Sequence, residues 1–169
     1  MAIKAYKKEV ALIVSSMKQQ DKNLKKLLKD FHNSEFNFNS KHYQGKTLLH
    51  YAVEYNLVNI IPTLIKYGCN PNICDDNYMT PLHLAVTKGN EQAIKILIKK
   101  GADVNMAGEF EQTPLHLAVI CGNLRLTKVL ISYGADIFVV DEKNLSVLDY
   151  AKDEKNNVII NYLKKKCNI

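Results

Sequence analysis

A block of six residues returns at a fixed step of 33 along this 169-residue chain. Thr47-Leu48-Leu49-His50-Tyr51-Ala52 is followed by Thr80-Pro81-Leu82-His83-Leu84-Ala85, then Thr113-Pro114-Leu115-His116-Leu117-Ala118, then Ser146-Val147-Leu148-Asp149-Tyr150-Ala151. Other blocks keep the same step: Tyr67-Gly68-Cys69-Asn70, Lys100-Gly101-Ala102-Asp103 and Tyr133-Gly134-Ala135-Asp136; Asn39, Asn72 and Asn105; Gly89-Asn90 and Gly122-Asn123. A period of this length signals stacked supersecondary units, each too small to bury its own apolar face.

The residues of one unit specify its local structure. Thr80 is an N-cap whose hydroxyl can accept from an orphan amide of the turn that follows. Pro81 stands at the first helical position, where a missing N–H costs nothing. Leu82, Ala85 and Val86 form the inward stripe of a short helix that Gly89 ends. Asn90 caps a second helix, with Ala93, Ile94, Leu97 and Ile98 at helical spacing. Gly101 supplies the left-handed turn that stops it. Helices this short are marginal alone in water and persist by burying one face against the next unit.

A 33-residue period carrying T-P-L-H-x-A and G-A-D-x-N resembles the ankyrin repeat, over about residues 37–165. The resemblance implies an all-α solenoid of helix-turn-helix units with β-turn loop tips. We expect repeats over residues 37–169, at about 45–72, 78–105, 111–138 and 144–166, behind a divergent pair of capping helices in residues 1–36. In that pair Ile3, Tyr6, Val10, Ile13 and Met17 share one helical face. Asp21 is placed to cap a second helix with Leu24, Leu27, Leu28 and Phe31 inside, and an irregular loop follows near His32–Phe36. At the far end, Asp149 replaces histidine and Lys164-Lys165-Lys166 give the stack a polar close.

Three departures from the family pattern carry structural expectations. The turn before each Thr or Ser usually holds glycine at positive φ. Gly45 satisfies this and Asn144 tolerates it, but Tyr78 and Glu111 predict a remodelled or strained turn. Pro62 falls in the second helix of the first full unit, which should start late or kink. The acidic residue that opens the turn is present as Asp75 and Asp141, but His42 and Gly108 stand there in the other two units.

Catalytic and metal chemistry find no support in these patterns. His50, His83 and His116 are evenly spaced, but equivalent atoms of stacked helices lie roughly 8–10 Å apart. Zinc holds its ligands at about 2 Å, so the three cannot share one ion. The resemblance instead gives this histidine a structural role, tying the cap threonine to a neighbouring loop. Gly45-Lys46-Thr47 imitates the end of a phosphate-binding loop, but Ser40 stands where its first glycine belongs. No nucleophile is paired with an orienting base. Cys69, Cys74, Cys121 and Cys167 form no close pair, and Cys69 and Cys74 read as small buried hydrophobes. The expectation is a non-enzyme without cofactor or metal.

Composition narrows the class further. At 47% hydrophobic and 24% charged residues the chain is neither disordered nor fibrous. No stretch approaches the roughly 18 apolar residues of a membrane-spanning helix, and no secretory leader is evident, which points to the cytoplasm. The net charge of +6 is concentrated in residues 1–46, whereas residues 47–169 balance. The 23 basic residues include one arginine, Arg125, so base-edge or bidentate phosphate readout is not favoured. The 22 lysines, 17 asparagines and 15 isoleucines suggest an AT-rich genome, of an intracellular bacterium or large DNA virus, and a host-directed effector.

What remains is surface. In ankyrin-like solenoids partners dock on the concave side, on loop tips and the inner face of each first helix. Carried over by position, the contact set is Tyr43, Gln44, Lys46, Glu54 and Tyr55 in the first unit. The second supplies Asp76, Asn77, Met79, Thr87 and Lys88, and the third Glu109, Phe110, Gln112, Ile120 and Cys121. Tyr43, Tyr55, Met79, Phe110 and Ile120 are the apolar members, and exposed aromatics anchor interfaces. The expected function is protein binding by a chain that is monomeric when free. The alternative is an anionic-surface or nucleic-acid binder acting through Lys4, Lys7, Lys8, Lys18, Lys22, Lys25, Lys26 and Lys29.

Overall fold

In the computed structural model, residues 2–34 and 36–167 are described, with side chains from residue 9 onward. The faces expected for Ile3, Tyr6, Lys4, Lys7 and Lys8 lie outside the described side chains. Among the described residues ten α-helices form five antiparallel pairs: α1 (Ala2–Lys18) with α2 (Leu24–Asn33), α3 (Leu48–Glu54) with α4 (Ile61–Lys66), α5 (Pro81–Thr87) with α6 (Glu91–Lys99), α7 (Pro114–Ile120) with α8 (Leu124–Ser132), and α9 (Val147–Asp153) with α10 (Asn157–Cys167). The all-α solenoid implied by the repeat is what forms. Odd-numbered helices make an inner row and even-numbered helices an outer one. The inner row packs more extensively along the stack than the outer row does.

The stripes read from the sequence are the core. Leu82, Ala85, Val86, Ala93, Ile94 and Leu97 are all buried, as are Leu115, Ala118 and Val119 one unit later. Caps fall where the pattern puts them. Thr80 Oγ1 accepts from the His83 amide at 3.3 Å, and the Asn90 side chain accepts from the Ala93 amide at 3.0 Å. The helix containing Pro62 does start late: α4 has 6 residues where α6 and α8 have 9. Leu57 stands where Asn90 and Asn123 cap those helices, so α4 has no side chain to hold an earlier start.

The first pair departs from one expectation. Asp21 does not cap α2. Asn23 occupies the N-cap position without a side-chain bond, because the chain turns once more before the helix begins. Asp21 Oδ1 instead accepts from the Asn23 amide at 2.8 Å, and Asp21 Oδ2 accepts from Ser16 Oγ at 3.2 Å. Val10, Ile13 and Met17 of α1 and Leu24 and Leu28 of α2 are buried as the helical spacing requires. An aromatic cluster then ties this pair to the next. Phe36 and Phe38 meet edge-on at 5.0 Å, and His32 stacks on Tyr67 at 4.4 Å. Cys69 is buried beneath Phe38, and burial pushes its thiol up to about 12. Cys74 is half-buried.

Two ladders clip the units together. Each of Asn39, Asn72 and Asn105 donates from Nδ2 to the glycine carbonyl of the following turn, Gly68, Gly101 and Gly134. The same three side chains accept at Oδ1 from the amides of Asn70, Asp103 and Asp136, at 2.7–2.8 Å. The histidines form the second, buried ladder. His50, His83 and His116 each meet the carbonyl of the next finger through Nε2, on Met79, Gln112 and Leu145. Their Nδ1 atoms accept from the cap-residue amides of Thr47, Thr80 and Thr113. A carbonyl on one side and an N–H on the other fix the neutral Nε2–H tautomer. Asp149 reproduces only the inner half of this device, accepting from the Ser146 amide and hydroxyl.

The fingers between units resolve the glycine question. Tyr78 and Glu111 both have φ of 58°, so the left-handed turn is kept without glycine. A left-handed L-residue costs roughly 1–2 kcal/mol, and glycine returns part of that through its own chain entropy. Tyr78→Gly is therefore expected to stabilise the fold by about 0.5–1 kcal/mol in urea unfolding, since the ring it removes is exposed.

Candidate binding surface

The fingers fall into two kinds, according to the residue that opens them. Where it is acidic, its carboxylate holds the loop. Asp75 Oδ1 accepts from the amides of Asn77 and Met79, and Asp141 Oδ1 from those of Lys143 and Leu145. Each of these fingers needs one left-handed residue, Tyr78 or Asn144. Where His42 or Gly108 opens the finger, a short 3-10 turn forms, Tyr43–Gly45 or Glu109–Glu111, with two left-handed residues in succession. The extra ones are Gln44 (φ 58°) and Phe110 (φ 56°). Their carbonyls accept from the next finger, from the Asp76 amide at 3.1 Å and the Glu142 amide at 3.2 Å. Backbone cost at two tips thus accompanies a tip-to-tip bond at each.

This geometry places the contact residues expected from the sequence. Tyr43, Asp76, Glu109 and Glu142 are in register, and all four are exposed. Gln44, Asn77 and Phe110 form a second exposed row. Lys88 is exposed at the end of α5. Lys46 is half-buried and paired with Glu54 at 2.9 Å, so two expected contact positions hold each other. Tyr55, Met79, Gln112 and Ile120 are also half-buried. Tyr55 stacks on Tyr51, and Gln112 Nε2 donates to the Tyr150 hydroxyl at 2.9 Å. The Gly45-Lys46-Thr47 segment is used as finger and cap.

Of the five apolar residues expected at the surface, Tyr43 (71% exposed) and Phe110 (53%) stand clear of the core. Among the described residues, five exposed large apolar side chains had no counterpart in the expected set: Leu12 at 53% and Val158 at 63% on the end helices, and Tyr78 at 69%, Phe138 at 71% and Val140 at 42% nearer the tips. Tyr78 was legible only as a missing glycine. Phe138 stands in register with Asn39, Asn72 and Asn105, so its signal is the break in the asparagine ladder.

The tips are acidic in the middle of the row. Asp76 on the second finger and Glu109 and Glu111 on the third are exposed there, whereas Lys41 precedes the first finger and the fourth pairs Glu142 with Lys143, all exposed. Phe110 lies between two of these carboxylates. An aromatic ring flanked by acids on a fixed loop can take an apolar or cationic side chain of a partner. No helix among the described residues is long and apolar enough to cross a membrane.

A search of individually curated proteins finds no match. Family models do match: an ankyrin-repeat model of three copies over residues 12–108, and a second ankyrin-repeat model of many copies over residues 97–151. The first begins within α1, upstream of the residue 37 at which the motifs become visible. The period, the helix pairs, the two ladders and these matches agree, and the chain belongs to the ankyrin-repeat family.

Proposed function

We propose that this chain is a non-catalytic protein-binding module whose partner lies across the finger tips and the inner helices, with Phe110 and Tyr43 as anchors. Ankyrin repeats are in general protein-interaction modules, and the family is typically non-catalytic. The observation that carries the reading is Phe110. A bulky ring is held out of the core, on a left-handed backbone, between two exposed acids. The tip-to-tip bond accounts for the backbone there, but nothing in the fold requires a large exposed ring at that position. The stack supplies rigidity, so little freedom is lost when a partner docks. The AT-rich composition favours a host cytosolic protein as that partner, which makes the chain a host-directed effector.

Replacing Phe110 and Tyr43 together by alanine tests this. Tyr55 is left intact because its stacking on Tyr51 would confound stability with binding. Capture of a specific partner from host cytosol, identified by mass spectrometry, should fall by about tenfold or more. The urea midpoint should move by less than about 0.5 kcal/mol per site. Undiminished capture by the double variant would remove the tips from the interface.

A further inference from the structure

Charge is partitioned between the two helix rows. The spans of the five outer helices, α2, α4, α6, α8 and α10, hold eleven lysine or arginine residues and two acids, Asp30 and Glu91, a surplus of nine. The whole chain carries +6, so everything else sums to −3. Glu91 is already engaged by Lys95 at 2.6 Å and by Arg125. Lys66, Lys99 and Lys165 repeat at the 33-residue register along this face, and all three are exposed. Of the lysine-rich N-terminal third, Lys25, Lys26 and Lys29 on α2 belong to this face.

The helix dipole explains only part of it. Cations in the last turn of a helix are favoured, which covers Lys66, Lys99 and Lys164–Lys166. Lys25 and Lys26 on α2 and Arg125 on α8 stand in first turns, where the dipole opposes them. Their shared feature is the face, not the helix position.

We propose that this outer-helix face docks on an anionic lipid surface, leaving the acidic finger tips turned away for a protein partner. Lysine is a compact point charge on a flexible stem, suited to summed attraction toward a charged plane. Five helices about 10 Å apart spread that attraction over roughly 40 Å, well beyond one Debye length. Nucleic acid fits less well. The face has one arginine for phosphate forks, and its one tyrosine, Tyr162, is half-buried with Lys128 Nζ over the ring at 5.4 Å, so it offers no row of rings for stacked bases.

The test is co-sedimentation of the full chain with phosphatidylcholine vesicles containing about a third phosphatidylserine, at about 0.1 M salt. Pure phosphatidylcholine vesicles and an RNA duplex serve as comparisons. Binding is expected to the phosphatidylserine vesicles alone and should fall about tenfold or more in Lys66→Glu/Lys99→Glu/Lys165→Glu. A parallel Lys→Gln triple variant, kinder to the helix ends, should lose affinity in the same direction, with circular dichroism showing that both remain helical. Lys41→Glu/Lys88→Glu/Lys143→Glu makes the same change in net charge off this face and should bind within about twofold of the parent. Equal loss in that control would reduce the effect to net charge and overturn the face assignment. Tighter binding to the RNA duplex, or no binding to phosphatidylserine vesicles, would overturn the lipid proposal while leaving the finger-tip reading intact.

Discussion

Between about pH 7 and about pH 4 the fold is expected to lose roughly 3 kcal/mol of stability through His83 alone. The imidazole is fully buried, and burial pushes its pKa down to about 4 from the ordinary 6.5. A second proton would also put an N–H donor against the Thr80 amide, which already donates to Nδ1 at 3.2 Å. The unfolded chain therefore binds a proton that the folded chain refuses. The stability contributed by neutral His83 is complete above about pH 6.5 and drains away as the pH falls toward 4. His50 and His116 are lowered for the same reason, burial, and add to the loss in the same direction. Urea midpoints at several pH values would show the slope, and imidazole resonances would show His83 neutral at pH values where a free histidine is charged. A midpoint flat from about pH 7 to about pH 4.5 would contradict the tautomer fixed by this geometry.

Leu82→Ala should cost about 3–5 kcal/mol, the upper range for a buried leucine. Leu82 is fully buried on α5, in the middle of the stack, where three inner helices meet. The void cannot collapse easily, because the histidine and asparagine ladders fix the spacing of units on either side. Since neighbouring units stabilise each other, weakening a central one is felt along the stack. Thermal or urea unfolding checks this directly against the Phe110/Tyr43 double variant. If the two variants were equally stable, the burial of the α5 stripe would be wrong.

The fold was readable because each unit repeats the same physical statement. Thr80, Pro81, Leu82, Gly89 and Asn90 are a cap, a first-turn residue, a core residue, a terminator and a second cap, and each is found in that role. Asn39, Asn72 and Asn105 were visible as a register, but their clamp on the next turn depends on chain 29–31 residues away. The cluster of Phe31, Phe36, Phe38 and Tyr67 was not visible, because the segment feeding it lies before the first motif. For the same reason the start of α2 was misjudged at Asp21. At the surface, Tyr78 and Glu111 announced left-handed turns by standing where glycine belongs. Gln44 and Phe110 gave no such sign, since their conformation is matched to an amide on the neighbouring finger. Tyr55 and Ile120 show the limit of positional transfer: their places are customary for contact, yet here Tyr55 packs against the core and Ile120 is half-buried.

The tip-to-tip bonds have a mechanical consequence. They join the first finger to the second and the third to the fourth, and among the described residues no backbone bond joins the second tip to the third. The row is two braces with a seam between Asn77 and Glu109, spanned at its base by His83 reaching Gln112. Bending of the stack will concentrate at that seam, and a guest that straddles it would work as a splint.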